Sequence, residues 1–120
     1  MLADVSAIGL GRVGLPLALS FADRGLRVLG VDKDAERIDA LRSGRMPFQE
    51  PGADELLARV AQSERLEFSE RAADAARAQS IVLTVGTPTF THIEIDMGDI
   101  RSVLDDLLPL LGPGHRVVLR

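Results

Sequence analysis

The sequence predicts an α/β fold, a doubly wound and mainly parallel sheet of about five strands with helices on both faces. Three observations predict it. Short apolar runs alternate with segments of helical spacing along the 120 residues. The runs are continuously apolar, as expected of strands covered on both faces. A glycine-rich turn, Gly9-Leu10-Gly11-Arg12-Val13-Gly14, joins the first run to the first helical segment.

Val5 to Ile8 reads as a buried strand ending at Gly9. From Val13 to Asp23, Val13, Leu17, Ala18 and Phe21 recur at helical spacing. Pro16 falls in the first turn, where its missing N–H does no harm, and Gly25 marks the end. Arg27 to Val31 is the second strand, closing at Asp32. Ala35 to Leu41 is a helix with Asp34 as N-cap and Gly44 as its stop. Met46 to Gly52 holds two prolines and a glycine and is a loop. A helix follows over Ala53 to Gln62. Leu66 to Phe68 is a brief third strand. Ser69 to Ala78 reads as an Ala-rich helix, with Ser69 as N-cap and Ala72, Ala73 and Ala76 inward. Ile81 to Val85 is the fourth strand, closed by Gly86-Thr87-Pro88. Residues 89–98 form a loop, Asp99 to Leu111 a helix, and Val117 to Leu119 the fifth strand.

Composition narrows the function. Apolar residues make up 46% and charged residues 27%, with a net charge of −4, an ordinary globular balance. That acidic balance argues against nucleic acid as a partner. There is no cysteine, so disulfides, thiolate metal sites and a Cys nucleophile are excluded within these residues. Lys33 is the only lysine, and Asn is absent. The N-terminus has no basic n-region, and its apolar run is too short to span a bilayer. The reading is a cytoplasmic protein without a membrane partner. The length suits one domain, residues 1–120. The last strand has no polar tail after it, which suggests the first part of a longer protein.

The turn fits G-x-G-x-x-G, a pattern that alone means only a turn rich in glycine. Its context gives it weight. A strand precedes it, a helix follows, and Asp32 ends the next strand, 18 residues after Gly14. In a Rossmann domain Gly9 permits the tight turn, Gly11 lets the backbone approach a pyrophosphate, and Gly14 lets the helix pack on the strand. The amides near Arg12 and Val13 lie at the positive end of that helix. The Asp32 carboxylate would accept from adenosine ribose hydroxyls and repel a 2′-phosphate. NAD is therefore the expected cofactor, over NADP. Lys33 reads as a solvated side chain. Arg37 reads equally as a group over the adenine end or as surface charge.

Three segments carry a family resemblance: Ile8-Gly9-Leu10-Gly11-Arg12-Val13-Gly14-Leu15-Pro16, Gln49-Glu50-Pro51-Gly52, and Val85-Gly86-Thr87-Pro88-Thr89. In order and spacing they resemble the N-terminal NAD-binding domain of the UDP-glucose/GDP-mannose dehydrogenases. The first is shared with other dehydrogenases; the other two make the likeness specific. The resemblance implies oxidation of the C6 alcohol of a nucleotide sugar to a carboxylate. Two NAD are reduced, through a thiohemiacetal and a thioester on a cysteine. It places Gly11, Arg12, Val13 and Gly14 at the pyrophosphate, and Asp32 at the ribose with Arg37 alongside. Val85, Gly86, Thr87, Pro88 and Thr89 would line the cofactor cleft; the plainer reading is a turn capped by Thr hydroxyls. Glu50-Pro51-Gly52 reads as structural, with Glu50 capping the next helix.

The family's Cys, Lys and Asn belong to later parts of its chains, so these residues alone are expected to bind NAD weakly and catalyse nothing. The resemblance also implies a homodimer, built through a helix absent here. Phe90 to Met97 departs from the family loop and leaves the sugar open. His92, Glu94 and Asp96 suggest a metal or acid–base pair less well than a short extended segment. His115 reads as solvated. The alternatives are a β-hydroxyacid dehydrogenase cofactor domain and a non-catalytic nucleotide sensor.

Overall fold

Strand β1 (Ala3–Ile8) is the axis of the sheet. On one side lie β2 (Val28–Val31) and β3 (Leu66–Ser69); on the other lie β4 (Ala78–Leu83) and β5 (Arg116–Leu119). The order is β3-β2-β1-β4-β5 and every pairing is parallel. The computed structural model describes residues 3–84 and 97–120. The helices are α1 (Gly14–Asp23), α2 (Ala35–Arg42), α3 (Ala53–Ala61) and α4 (Met97–Leu107).

The chain leaves β1 toward β2 and β3, then returns to β4 on the far side of β1. The strand order therefore reverses between β1 and β4. At such a point the two crossovers diverge and leave a crevice beyond the carboxyl ends of the strands. Each face has its own core. One combines Val5, Ala7, Leu15, Ala18, Leu19, Ile38, Leu41, Leu57 and Val60. The other combines Ile8, Leu29, Val31, Ala75, Ile81, Leu83 and Leu107.

Several boundaries and faces differ from the sequence reading. Helix α1 buries Leu15, Ala18, Leu19 and Ala22, whereas Leu17 and Phe21 are half-buried and Val13 is 44% exposed. The segment is apolar nearly all round, so spacing alone did not select the inner face. The Ser69–Ala78 helix is instead the end of β3 followed by a 3₁₀ helix, Ala72–Arg77, and β4 begins at Ala78. Ser69 does not cap it. Its hydroxyl donates to Asp74 Oδ2 at 2.6 Å and accepts from the Arg71 amide at 3.0 Å. Ala75 is the fully buried alanine of that turn; Ala72, Ala73 and Ala76 are half-buried.

Helix α4 ends at Leu107 and tightens into a 3₁₀ turn over Leu108–Leu110. Pro109 has no N–H to continue the ladder and disfavours α geometry in the residue before it. Leu108 is consequently exposed. β5 is an edge strand whose four residues are all exposed, not covered on both faces. His115 is half-buried rather than solvated. Its Nδ1 accepts from the Gly112 amide at 2.9 Å, which makes Nε2 the donor to the Ala76 carbonyl at 2.8 Å.

Other expectations hold. Asp34 caps α2 by accepting from the Glu36 and Arg37 amides. Gly25 and Gly44 follow α1 and α2 with positive φ. Among the described residues no helix is long and apolar enough to cross a membrane.

Candidate cofactor site

Backbone hydrogen bonds continue past the strand ends and gather four of them. The Gly9 amide donates to Val31 O (2.8 Å), the Asp32 amide to Ser69 O (3.1 Å) and the Thr84 amide to Ile8 O (2.9 Å). The glycine turn thus begins at the junction of β1 and β4. It is packed too tightly for side chains at two positions. A Cβ on Gly14 would stand 1.7 Å from the Gly9 carbonyl oxygen, and one on Gly9 would stand 2.6 Å from Thr84 Oγ1. Helix α1 can start directly against the strand end only because both lack one. At Gly11 a Cβ would meet nothing within 4 Å. The middle glycine therefore faces open space.

Helix α1 has Val13 at its N-cap with no side-chain cap, and no acidic residue in its first turn. The amides of a helix's first turn lack intrahelical acceptors and carry partial positive charge. An uncapped start with no carboxylate leaves that charge for an anion from outside.

Leu10, between the first two glycines, is wholly buried. Room for it comes from Gly30 on β2, where a Cβ would lie 3.2 Å from Leu10 Cδ1. This buried leucine draws the turn down onto β2 and brings its amide to Asp32. The Leu10 amide donates to Asp32 Oδ2 at 2.8 Å, and the Asp34 amide donates to Oδ1 at 2.9 Å. Arg37 Nη1 reaches Oδ2 at 3.1 Å. The Asp32 side chain is only 9% exposed, yet three donors satisfy it. Lys33 beside it is exposed.

Sequence reasoning passed over three residues of this neighbourhood. The Thr84 hydroxyl lies 3.0 Å from Ile8 O and 2.8 Å from Gly9 O, tying the end of β4 to the turn. Its signal was a lone hydroxyl in an apolar run. Leu10 was the variable position of the motif. Phe48 lies under the Arg12 guanidinium, 5.1 Å from carbon to ring centroid, and Arg12 Nη1 donates to Gln49 O at 3.4 Å. Its signal was an aromatic side chain in a chain with four Phe and no Trp or Tyr.

The Glu50-Pro51-Gly52 segment is a turn. The Ala53 amide donates to Glu50 O at 3.0 Å, and Gly52 has φ 80° and ψ −9°. Those are the angles of the third residue of a type II turn, with Pro51 in its preferred second place. Glu50 does not cap α3 with its side chain; Gly52 stands at the N-cap. Val85, Gly86, Thr87, Pro88 and Thr89, and also His92, Glu94 and Asp96, lie outside the described residues.

The turn, Asp32 and the β1/β4 reversal thus meet at one end of the sheet. The NAD binding domain of the UDP-glucose/GDP-mannose dehydrogenase family matches residues 3–120. The chain belongs to that family. It is 43% identical over 86 residues to UDP-glucose 6-dehydrogenase of Rhizobium meliloti (strain 1021), covering 71% of this chain and 20% of that one. It is 32% identical over 120 residues to GDP-mannose 6-dehydrogenase of Pseudomonas syringae pv. syringae, covering 97% of this chain and 27% of that one. Among solved structures it is similar to a ternary complex of GDP-mannose dehydrogenase from Pseudomonas aeruginosa. The TM-score there is 0.84 at 32% identity, over 97% of this chain and 28% of that one. A UDP-glucose dehydrogenase from Pyrobaculum islandicum gives 0.80 at 34% identity, over 99% and 28%. The chain therefore spans 20% to 27% of the length of these curated relatives. It is an NAD-binding domain with the Rossmann-type fold of a dehydrogenase family.

Proposed function

We propose that this domain is the cofactor-binding part of an enzyme that oxidises the C6 alcohol of a UDP-sugar to a carboxylate, reducing two NAD per sugar. The observation that carries the reading is the pairing of an open, uncapped α1 start with a buried carboxylate on the next strand. NAD, when bound, supplies the hydride acceptor.

The residues present fit that cofactor. Gly9 and Gly14 hold the turn closed, and Gly11 leaves space for a pyrophosphate against the backbone. The amides at Arg12 and Val13 offer it donors, and the Arg12 side chain adds a charge. Asp32 accepts from the adenosine ribose. A carboxylate has about four lone-pair positions, and three donors occupy this one. Arg37, one of the three, is 32% exposed and free of the backbone, so it is the donor that shares its place with a ribose hydroxyl. The Asp32 carboxylate at the end of β2 would repel a 2′-phosphate, and NAD is favoured over NADP. Val85, Gly86, Thr87, Pro88 and Thr89 complete the cleft in this reading.

The cysteine that such an oxidation needs is not among the 120 residues. The thiol and the sugar site then belong to another part of the enzyme, as the short share of each relative's length suggests. Residues 1–120 act as its NAD-binding domain, in a cytoplasmic homodimer, and turn nothing over alone. Calorimetric titration with NAD⁺ and NADP⁺ tests the cofactor assignment. NAD⁺ is expected to bind more tightly, and Asp32→Ala to lose that preference. No binding of NAD⁺ at millimolar concentration, or tighter NADP⁺ binding by the unchanged protein, overturns it.

A further inference from the structure

The loop 46–52 makes a contact that its role as a turn does not require. Arg12 and Gln49 are 37 residues apart in sequence, yet the guanidinium donates to the Gln49 carbonyl at 3.4 Å. The same guanidinium sits 5.1 Å from the Phe48 ring centroid, inside the cation–π range of about 6 Å. The ring is a fixed platform. Phe48 is half-buried against the core that holds Leu57 and Val60 of α3, and α3 packs beside α1. Arg12 itself is exposed at the start of α1, whose first turn offers no carboxylate to pair with it.

An exposed arginine samples many rotamers, and the freedom it loses on meeting an anion weakens binding. A ring and a carbonyl that hold the guanidinium beforehand remove part of that loss. We propose that Phe48 is a positioning residue for NAD: with the Gln49 carbonyl it holds the Arg12 guanidinium beside the open N-terminal end of α1, so that loop 46–52 serves the pyrophosphate through Arg12. The proposal rests on the reading that this end of α1 receives the pyrophosphate.

The test is a calorimetric double-mutant cycle on NAD⁺ binding, with thermal unfolding followed in parallel. Phe48→Ala is expected to weaken NAD⁺ about threefold to tenfold at low salt, less at high salt. Phe48→Trp keeps a π face and should keep the affinity. Phe48→Leu keeps apolar volume without that face and should weaken binding even if Phe48→Ala unfolds. On an Arg12→Ala background the Phe48 substitutions should change nothing further. Adenosine, which has no pyrophosphate, should bind every variant alike. Unchanged NAD⁺ affinity in Phe48→Leu, equal losses with and without Arg12, or equal losses for adenosine overturns the proposal. Failure of the unchanged protein to bind NAD⁺ would instead remove the cofactor reading, and the proposal with it.

Discussion

Gly11 and Gly14 stand in one motif, but different neighbours demand them. At Gly14 the demand is internal, because the Gly9 carbonyl occupies the place of a Cβ. Backbone cannot move aside as a flexible side chain does. Gly14→Ala should therefore lower stability by more than about 3 kcal/mol, read by urea unfolding. Gly11 meets no such neighbour and has no positive φ. Gly11→Ala should leave stability unchanged or raise it by up to about 1 kcal/mol through the unfolded chain. It should still weaken NAD⁺ at least about tenfold, since the added methyl enters the space a pyrophosphate needs. A Gly11→Ala protein that is folded and binds NAD⁺ normally would show that the open space is not the pyrophosphate site. The motif and the separate roles of its glycines were legible in the sequence; what enforces close packing at Gly9 and Gly14 was not. That depends on Thr84 and the Gly9 carbonyl, brought there by pairing across the sheet. Leu10 was illegible for a related reason. Its burial depends on Gly30, a residue of another strand.

At the scale of elements, the parts with a local chemical signal were readable. Asp34 reads as a cap because its side chain can reach amides two and three residues on, and it does so at 3.1 and 3.3 Å. Asp34→Ala should cost about 1 kcal/mol of stability, measured by chemical denaturation. It should also weaken NAD⁺ modestly, because the Asp34 amide and Arg37 both hold Asp32. An unchanged denaturation midpoint would show that the cap contributes nothing. Elements without such a signal were misread. The Ala-rich stretch after β3 has high helix propensity, but its chain length is used in returning to β4, and only a 3₁₀ turn forms. The Leu-rich end of α4 was extended through Pro109, where the missing N–H outweighs the apolar spacing. The inner face of α1 was obscured by having apolar residues nearly all round.

Across the whole molecule, parallel topology followed from the continuous apolar runs, whereas the reversal of strand order between β1 and β4, where the candidate site lies, is seen only in the fold. The exposure of β5 did not follow, because a Val-Val-Leu run reads as a central strand whether or not anything covers it. Between the elements, surface ion pairs join distant parts of the chain, and these set the response to acid. The Arg27 amide and then its side chain hydrogen-bond to Asp4, holding the Asp4 carboxyl below its ordinary value of 3.8. The hydrogen-bonded Arg59 side chain does the same for Asp23, and this pair fastens α3 to α1. A carboxyl whose folded pKa lies below its unfolded value binds protons more readily in the unfolded chain. Its contribution is complete above the unfolded value and is lost as pH falls through the folded one. Stability should thus be level near neutrality and fall below about pH 4. Both pairs are exposed and screened, so the slope should flatten in high salt. Asp4→Asn combined with Asp23→Asn should make the acid limb shallower while leaving NAD⁺ affinity at neutral pH alone. Thermal unfolding across pH, run on both proteins, decides it; identical acid limbs would show that the two pairs do not couple to folding.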